Sequence, residues 1–85
     1  MWEVYIVRCS TGELYTGCTV DLKRRVKQHN NGSGSKFTRS RRPVVLVYRE
    51  VCANRSLALR RESQIKRMSR AQKTRLVQSA TATSA

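Results

Sequence analysis

Residues 2 to 19 restrict the possible folds more than any other stretch. Trp2 to Cys9 alternates and is rich in β-formers, Ser10-Thr11-Gly12 interrupts it, and Leu14 to Thr19 resumes the pattern. This is a β-hairpin signature. The length of its turn matters, because a one-residue change of register moves every side chain to the other face. Three-residue turns commonly end on a residue with positive φ that forms a bulge, and Gly12 suits that place. With Ser10, Thr11 and Gly12 as the turn, Cys9 opposes Glu13, Val7 opposes Tyr15 and Tyr5 opposes Gly17. Tyr5 and Tyr15 then share one face. A two-residue Thr11-Gly12 turn would separate them.

The pattern downstream predicts a helix from about Asp21 to Asn30, with Thr19 or Asp21 as its cap and Leu22, Val26 and His29 facing inward. At 100° per residue, Arg25 lies about 60° from Leu22 and about 40° from His29. Of Lys23, Arg24, Arg25 and Lys27, only Arg25 therefore borders the buried face. Asn30 to Ser35 reads as a flexible loop, and Lys36 to Arg42 adds four positive charges around Phe37 before Pro43. Val44 to Val51 is a β-branched run compatible with a central strand. A second helix starts at Asn54 or Ser56 and runs to about Met68, which puts Ala58, Leu59, Glu62 and Ile65 on one stripe. Ser69 and Gln72 match a capping box, so a third helix follows through about Val77. Ser79 to Ala85 lacks apolar periodicity and reads as a disordered tail. The expected order is β-β-α-β-α-α, an α+β domain over residues 1–78 with a tail over 79–85.

A chain of 85 residues supports one small core, which excludes a second catalytic domain. Its 18 Lys and Arg against 5 Asp and Glu give a formal charge of +13. Such a field favours a polyanionic partner, with nucleic acid foremost. No apolar run approaches the roughly 18 to 20 residues of a spanning helix, so no membrane partner is expected. Met1 to Tyr5 lacks the basic leader and apolar stretch of a secretory signal, which predicts a cytoplasmic, nucleoid-associated protein. Cys9, Cys18 and Cys52 show no C-x-x-C spacing and have only His29 as an imidazole companion. They read as reduced core cysteines rather than a zinc site.

Glu62 stands out, since a carboxylate on an apolar stripe is costly unless paired, hydrogen-bonded or bound to a metal. A salt bridge to Arg25 or Arg61, an edge position open to water, and a metal site each answer that need. With Tyr5, Tyr15 and Arg25 it completes the groups required by metal-assisted phosphodiester cleavage. The ordered set resembles the GIY-YIG nuclease family. Glu3-Val4-Tyr5 stands at the first triplet, and Tyr15-Thr16-Gly17 at the second, with the tyrosines ten residues apart. Thr19 to Arg25 ends in the family arginine, His29 lies four residues on, and Ser56 to Glu62 ends in the glutamate. The likeness spans residues 2–77 and is strongest to small stand-alone bacterial members. Glu3 replaces the family's first glycine, and Thr16 its isoleucine.

The resemblance implies a three-stranded antiparallel sheet flanked by helices, with Tyr5, Tyr15, Arg25, His29 and Glu62 as the catalytic set. It makes Glu62 the ligand of one Mg²⁺ (or Mn²⁺), an ion that accepts few protein ligands and keeps several waters. Tyr5 is the implied base, with Tyr15 the near alternative that orients water or substrate. Arg25 offers the phosphate a planar fork of donors, and His29 can accept a proton from Tyr5. Lys23, Lys27, Lys36, Arg39, Arg41 and Arg42 surround the set in sequence and read as phosphate contacts, which give affinity without base reading. The expected activity is metal-dependent DNA hydrolysis guided by branches, single strands or ends, with room for a larger partner that presents the DNA. The rivals are a non-catalytic nucleic-acid-binding protein of the same fold and a small basic RNA-binding protein. The last explains the charge but gives no reason for the ordered polar set.

Overall fold

The computed structural model describes residues 1–84, and for residues 80–84 the backbone alone. The hairpin forms in the expected register: β1 (Trp2–Cys9) and β2 (Leu14–Thr19) pair antiparallel with Tyr5 opposite Gly17 and Val7 opposite Tyr15. Cys9 N donates to Glu13 O at 2.8 Å, and Gly12 takes φ 98°, a conformation that side-chain-bearing residues rarely adopt. β3 (Val44–Cys52) pairs antiparallel with the other side of β1, with an irregularity between Ile6 and Val7, so the sheet order is β2-β1-β3.

The central strand is thus β1, which corrects the expectation for Val44 to Val51. Four consecutive residues of β1, Val4 to Val7, are buried, the signature of a strand covered on both faces. β3 lies at an edge, with Val45 and Val51 each more than half exposed. Its β-branched composition reflects pleated geometry rather than double burial.

Alternation along β1 divides the interior in two. Tyr5, Val7 and Cys9 pack with Val44 and with Leu22 of α1 (Leu22–Asn31), joined by Tyr15, Val26 and Leu46. Val4 and Ile6 pack on the other face with Cys52 and with Ala58 and Ile65 of α3 (Arg55–Lys66). Met68 and the α4 residues Leu76 and Val77 close that side.

The helix caps follow the sequence signals. Asp21 accepts from Arg24 N at the start of α1, and Gly32 ends it at φ 92°. Asn54 accepts from Leu57 N at the start of α3. Ser69 and Gln72 satisfy each other's backbone N–H, the capping box that opens α4 (Arg70–Ser84). α4 continues beyond Val77, through residues 79–84 of the segment expected to be disordered, while Ala85 lies outside the described residues. No Gly or Pro interrupts this stretch, and its alanines favour helix.

One element is new. α2 (Lys36–Arg39) is a single helical turn capped by Ser35, whose hydroxyl accepts from Thr38 N, so the order becomes β-β-α-α-β-α-α. On α3, Leu59 faces out at 44 % exposure and the inward stripe is Ala58, Glu62 and Ile65. That is the i, i+4, i+7 spacing of one helix face.

Candidate active site

Four elements converge at the edge of the sheet formed by β2. Tyr5 projects from β1, on the α1 face, towards β2, and Gly17 is what lets it pass. A Cβ at Gly17 would come within 2.5 Å of the Tyr5 hydroxyl. The second triplet therefore needs glycine for space.

From above the sheet, α1 supplies His29 and Arg25. His29 is completely buried, and its Nε2 lies 2.8 Å from Tyr5 Oη. Arg25 Nε donates to the same oxygen at 3.4 Å, while its terminal nitrogens donate to Gln28 Oε1 at 3.2 Å and to Gly34 O at 3.1 Å. A guanidinium carries five N–H donors, so these three bonds leave two for a phosphate.

The inner end of the imidazole is held by α2. His29 Nδ1 lies 2.8 Å from Thr38 Oγ1, which is fully buried and also contacts Ser35 Oγ at 2.9 Å and Ser35 O at 3.4 Å. Burial pushes the Tyr5 phenol up from its ordinary range, only partly opposed by Arg25, so Tyr5 is a neutral phenol. The acceptor facing that phenol is His29 Nε2, because Arg25 can only donate. His29 then carries its proton on Nδ1 and donates it to Thr38, which donates to Ser35. Burial, then the charge of Arg25, holds His29 below the usual imidazole range, which keeps it neutral and able to accept.

Tyr15 flanks the pair. Its ring meets His29 edge-on at 5.2 Å and stacks on Phe37 at 5.8 Å, with the Arg41 guanidinium 4.0 Å from the centre of the Phe37 ring. Arg41 also binds Glu13 at 2.6 Å and Phe37 O at 2.8 Å. Its charge is thereby matched, unlike those of the exposed Lys23, Lys27 and Lys36. Arg39 and Arg42 are exposed and lean on the carbonyls of Gly32 and of Arg39 and Asn30. Lys23 and Lys27 border a larger apolar groove between α1 and β3, which contains none of Tyr5, Arg25, His29 or Glu62.

Glu62 arrives from the opposite face of the sheet. Its side chain is 18 % exposed, accepts from Cys18 Sγ at 3.7 Å and faces Lys66 Nζ at 3.4 Å. Its charge is one of the influences that raise the Tyr5 phenol. Neither expected ion pair forms, because Arg61 is taken by Glu50 at 3.1 Å and Arg25 by the contacts above. Burial, followed by the Glu62 charge, pushes the Cys18 thiol up, so it serves Glu62 as a neutral donor. Cys9 and Cys52 are buried as expected of core cysteines, whereas Cys18 borders the site.

The other carboxylates are committed elsewhere. Glu3 pairs with Arg49, Glu13 with Arg41 and Glu50 with Arg61, while Asp21 caps α1. Glu62 combines partial burial with long contacts, which leave its oxygens open to a cation; Glu3, beside its pair with Arg49, keeps a buried Oε2 without a partner but is not among the residues gathered around Tyr5. Among the described residues no three His, Cys, Asp or Glu cluster as a metal cage. A lone carboxylate fits an ion such as Mg²⁺ that keeps most of its waters, and does not fit a structural zinc.

Of the five residues expected from the sequence, the structure brings Tyr5, Tyr15, Arg25 and His29 together and sets Glu62 behind Cys18; the residues that hold them, Thr38, Gly34, Ser35 and Gln28, had not been expected. A Cβ at Gly34 would collide with His29 Nδ1 and lie 2.8 Å from its Cα. The Ser35-to-Thr38 spacing of an N-cap was the available signal for α2.

The fold is that of a nuclease-type catalytic domain, and the chain belongs to the GIY-YIG family. The profile of the GIY-YIG catalytic domain matches residues 1–75. The family is one of endonucleases, which implies nucleic acid as substrate and generally a divalent metal ion. Among curated proteins the chain is 53 % identical to the UPF0213 protein DP2720 of Desulfotalea psychrophila over 77 residues, 89 % of this chain and 70 % of that one. It is 49 % identical to the UPF0213 protein SH2523 of Staphylococcus haemolyticus over 75 residues, covering 88 % and 92 %. The solution NMR structure of the UPF0213 protein BH0048 from Bacillus halodurans matches with TM-score 0.59 at 42 % identity, covering 92 % of this chain and 84 % of that one. Among the described residues no helix is long and apolar enough to cross a membrane.

Proposed function

We propose that the protein is a divalent-metal-dependent DNA endonuclease that hydrolyses phosphodiester bonds by attack of water. The observation that carries this reading is the shared phenol oxygen of Tyr5, contacted by both His29 at 2.8 Å and Arg25 at 3.4 Å.

Tyr5 is the general base, acting through His29. As the attacking water loses a proton to Tyr5 Oη, Tyr5 passes its own proton to His29 Nε2, so a neutral phenol is present before and after. This removes the need for a free tyrosinate, which burial opposes. Hydroxide bonds to phosphorus, the P–O3′ bond breaks, O3′ takes a proton from solvent water, and His29 returns its extra proton to solvent through Tyr5. Arg25 binds a non-bridging oxygen through its two remaining donors and meets the charge that develops there. Tyr15, wedged between His29 and Phe37, positions the water or the substrate. Glu62 holds the Mg²⁺ or Mn²⁺, whose chemistry when bound is Lewis-acid stabilisation of charge on the phosphate and leaving oxygens.

Lys23, Lys27, Lys36, Arg39 and Arg42 supply exposed charge for phosphates, while Arg41 holds the α2 segment that carries Thr38. Contacts of this kind read backbone shape rather than base sequence. The test is nicking of supercoiled, branched and single-stranded DNA with Mg²⁺ or Mn²⁺, comparing wild type with Glu62→Gln. The variant should bind DNA normally and leave it intact. Two proteins that both bind and never cut would leave a nucleic-acid-binding protein, and equal cutting by both would remove Glu62 from the site.

A further inference from the structure

A small recess opens on the outer side of Arg25. It is a cleft of about 290 Å³, lined among others by Trp2, Cys18, Asp21, Arg24, Arg25 and Gln28. Two of its walls touch the catalytic set directly, since Arg25 bonds Tyr5 and Cys18 bonds Glu62. The remaining wall is of another kind. Trp2, the first residue of β1, is half-buried against the α3 side of the core. Arg55, from the first turn of α3, has Cζ 5.9 Å from the Trp2 ring centroid, near the outer limit of a cation–π contact. Arg24 is exposed on α1 beside it.

Resting on the nuclease reading, we propose that this cleft holds one unpaired nucleobase beside the phosphate bound by Arg25. The base stacks on Trp2, and the protein thereby prefers single-stranded, flapped or frayed nucleic acid to continuous duplex. An aromatic surface bordered by cations is the recurring composition of sites that bind single strands without reading sequence. A base inside a duplex has both faces covered by its neighbours, so it must unstack before it can offer one to Trp2. The cleft lies at the lower limit of small-molecule pockets, sized for one flat ring rather than a groove-wide duplex contact. Arg24 and Arg55 meet the phosphates on either side of that ring. The edge groups within reach are few, Gln28 being already engaged with Arg25 and Asp21 with the α1 cap, which predicts little preference among bases.

Trp2 is the chain's single tryptophan, so its emission reports on the cleft alone. The experiment titrates the full chain, without divalent metal, with an oligothymidylate and with a blunt duplex of equal length. DNA anisotropy measures binding in parallel with Trp2 fluorescence. The single strand should quench Trp2 by more than half and saturably, while the duplex binds with little quenching. Trp2→Leu should weaken single-strand binding by about 5- to 150-fold, the range for losing one stacked base, while Trp2→Phe retains most of it. Both variants are checked for folding by circular dichroism, and the wild-type titration needs neither. Binding of the single strand without quenching, or equal quenching by both DNAs, overturns the proposal. None of these readouts needs cleavage. A protein that stacks the single strand but never cuts loses the nuclease reading alone, and one that cuts without quenching loses the cleft alone.

Discussion

Replacing Thr38 by valine tests the buried relay at the residue furthest from the substrate. Threonine and valine have the same shape, so the substitution exchanges one hydroxyl for a methyl at a position with no solvent exposure. That hydroxyl lies 2.8 Å from His29 Nδ1 and 2.9 Å from Ser35 Oγ. Without it, the His29 Nδ1 proton is buried with no acceptor, which costs about 1–3 kcal/mol. For a domain of this size each kcal/mol lowers Tm by about 4–8 °C. Thr38→Ser is the control, because it keeps the hydroxyl and loses one buried methyl worth about 0.8 kcal/mol.

The two variants should separate further in catalysis. Valine frees the imidazole to exchange tautomers, so Nε2 no longer presents a fixed lone pair to Tyr5. General-base assistance is typically worth about 10²–10⁴-fold, and losing its alignment should cost at least the lower figure. Serine should stay within a few-fold of wild type. Single-turnover cleavage with Mg²⁺, run well below each variant's melting temperature, makes the comparison. If valine cuts within threefold of wild type, or serine loses as much as valine, Thr38 does not orient His29 and the relay is wrong.

Gly34→Ala should be destabilised by about 1–3 kcal/mol, because its Cβ would press on the backbone and ring of His29 and one of them must move; thermal melts give the value. Arg25→Lys should lose about 10²-fold or more in kcat/KM, since an ammonium cannot reach Tyr5, Gln28 and Gly34 together and still bind phosphate. Rescue by free guanidinium would support the assignment, and a near-normal lysine variant would oppose it. Stability should fall as pH drops below 6.5, the ordinary His value, because the folded state holds His29 below that value and the unfolded chain takes up the proton first. The contribution is complete above pH 6.5 and is lost as pH falls towards the depressed value. Denaturant melts at pH 5 and 7.5 measure it, and His29→Gln should flatten the difference.

The hairpin was legible because register follows from turn length, and Gly12 marked the turn. The caps at Asp21 and Asn54 and the Ser69–Gln72 box were equally readable, since each is a local hydrogen bond between residues a few positions apart. The position of β3 was not, because β-branched residues suit an edge strand as well as a central one. Helical spacing located Glu62, but its partners are Cys18 from β2, which only folding brings to it, and Lys66 one turn on along α3, rather than the expected arginines. Thr38 was hidden for the same reason. Its meaning depends on a contact with a residue nine positions away that only folding creates.

The electrostatics of the relay give Arg25 a second role. Its charge helps hold His29 below the usual range, while its hydrogen bond and charge draw the Tyr5 phenol down against the larger effect of burial. Before substrate binds, Arg25 therefore opposes imidazolium formation, and the proton remains on Tyr5. A phosphodiester bound as proposed would bring a negative charge to the guanidinium and offset part of that field, which would make His29 a better proton acceptor at the moment one is needed. Burial magnifies the change, since charges at a water-poor site interact more strongly than in solvent. In the proposed mechanism the arginine that binds the phosphate would thus couple substrate arrival to the basicity of His29. Lysine at position 25 would keep the charge but lose the Nε contact that ties it to the Tyr5 oxygen.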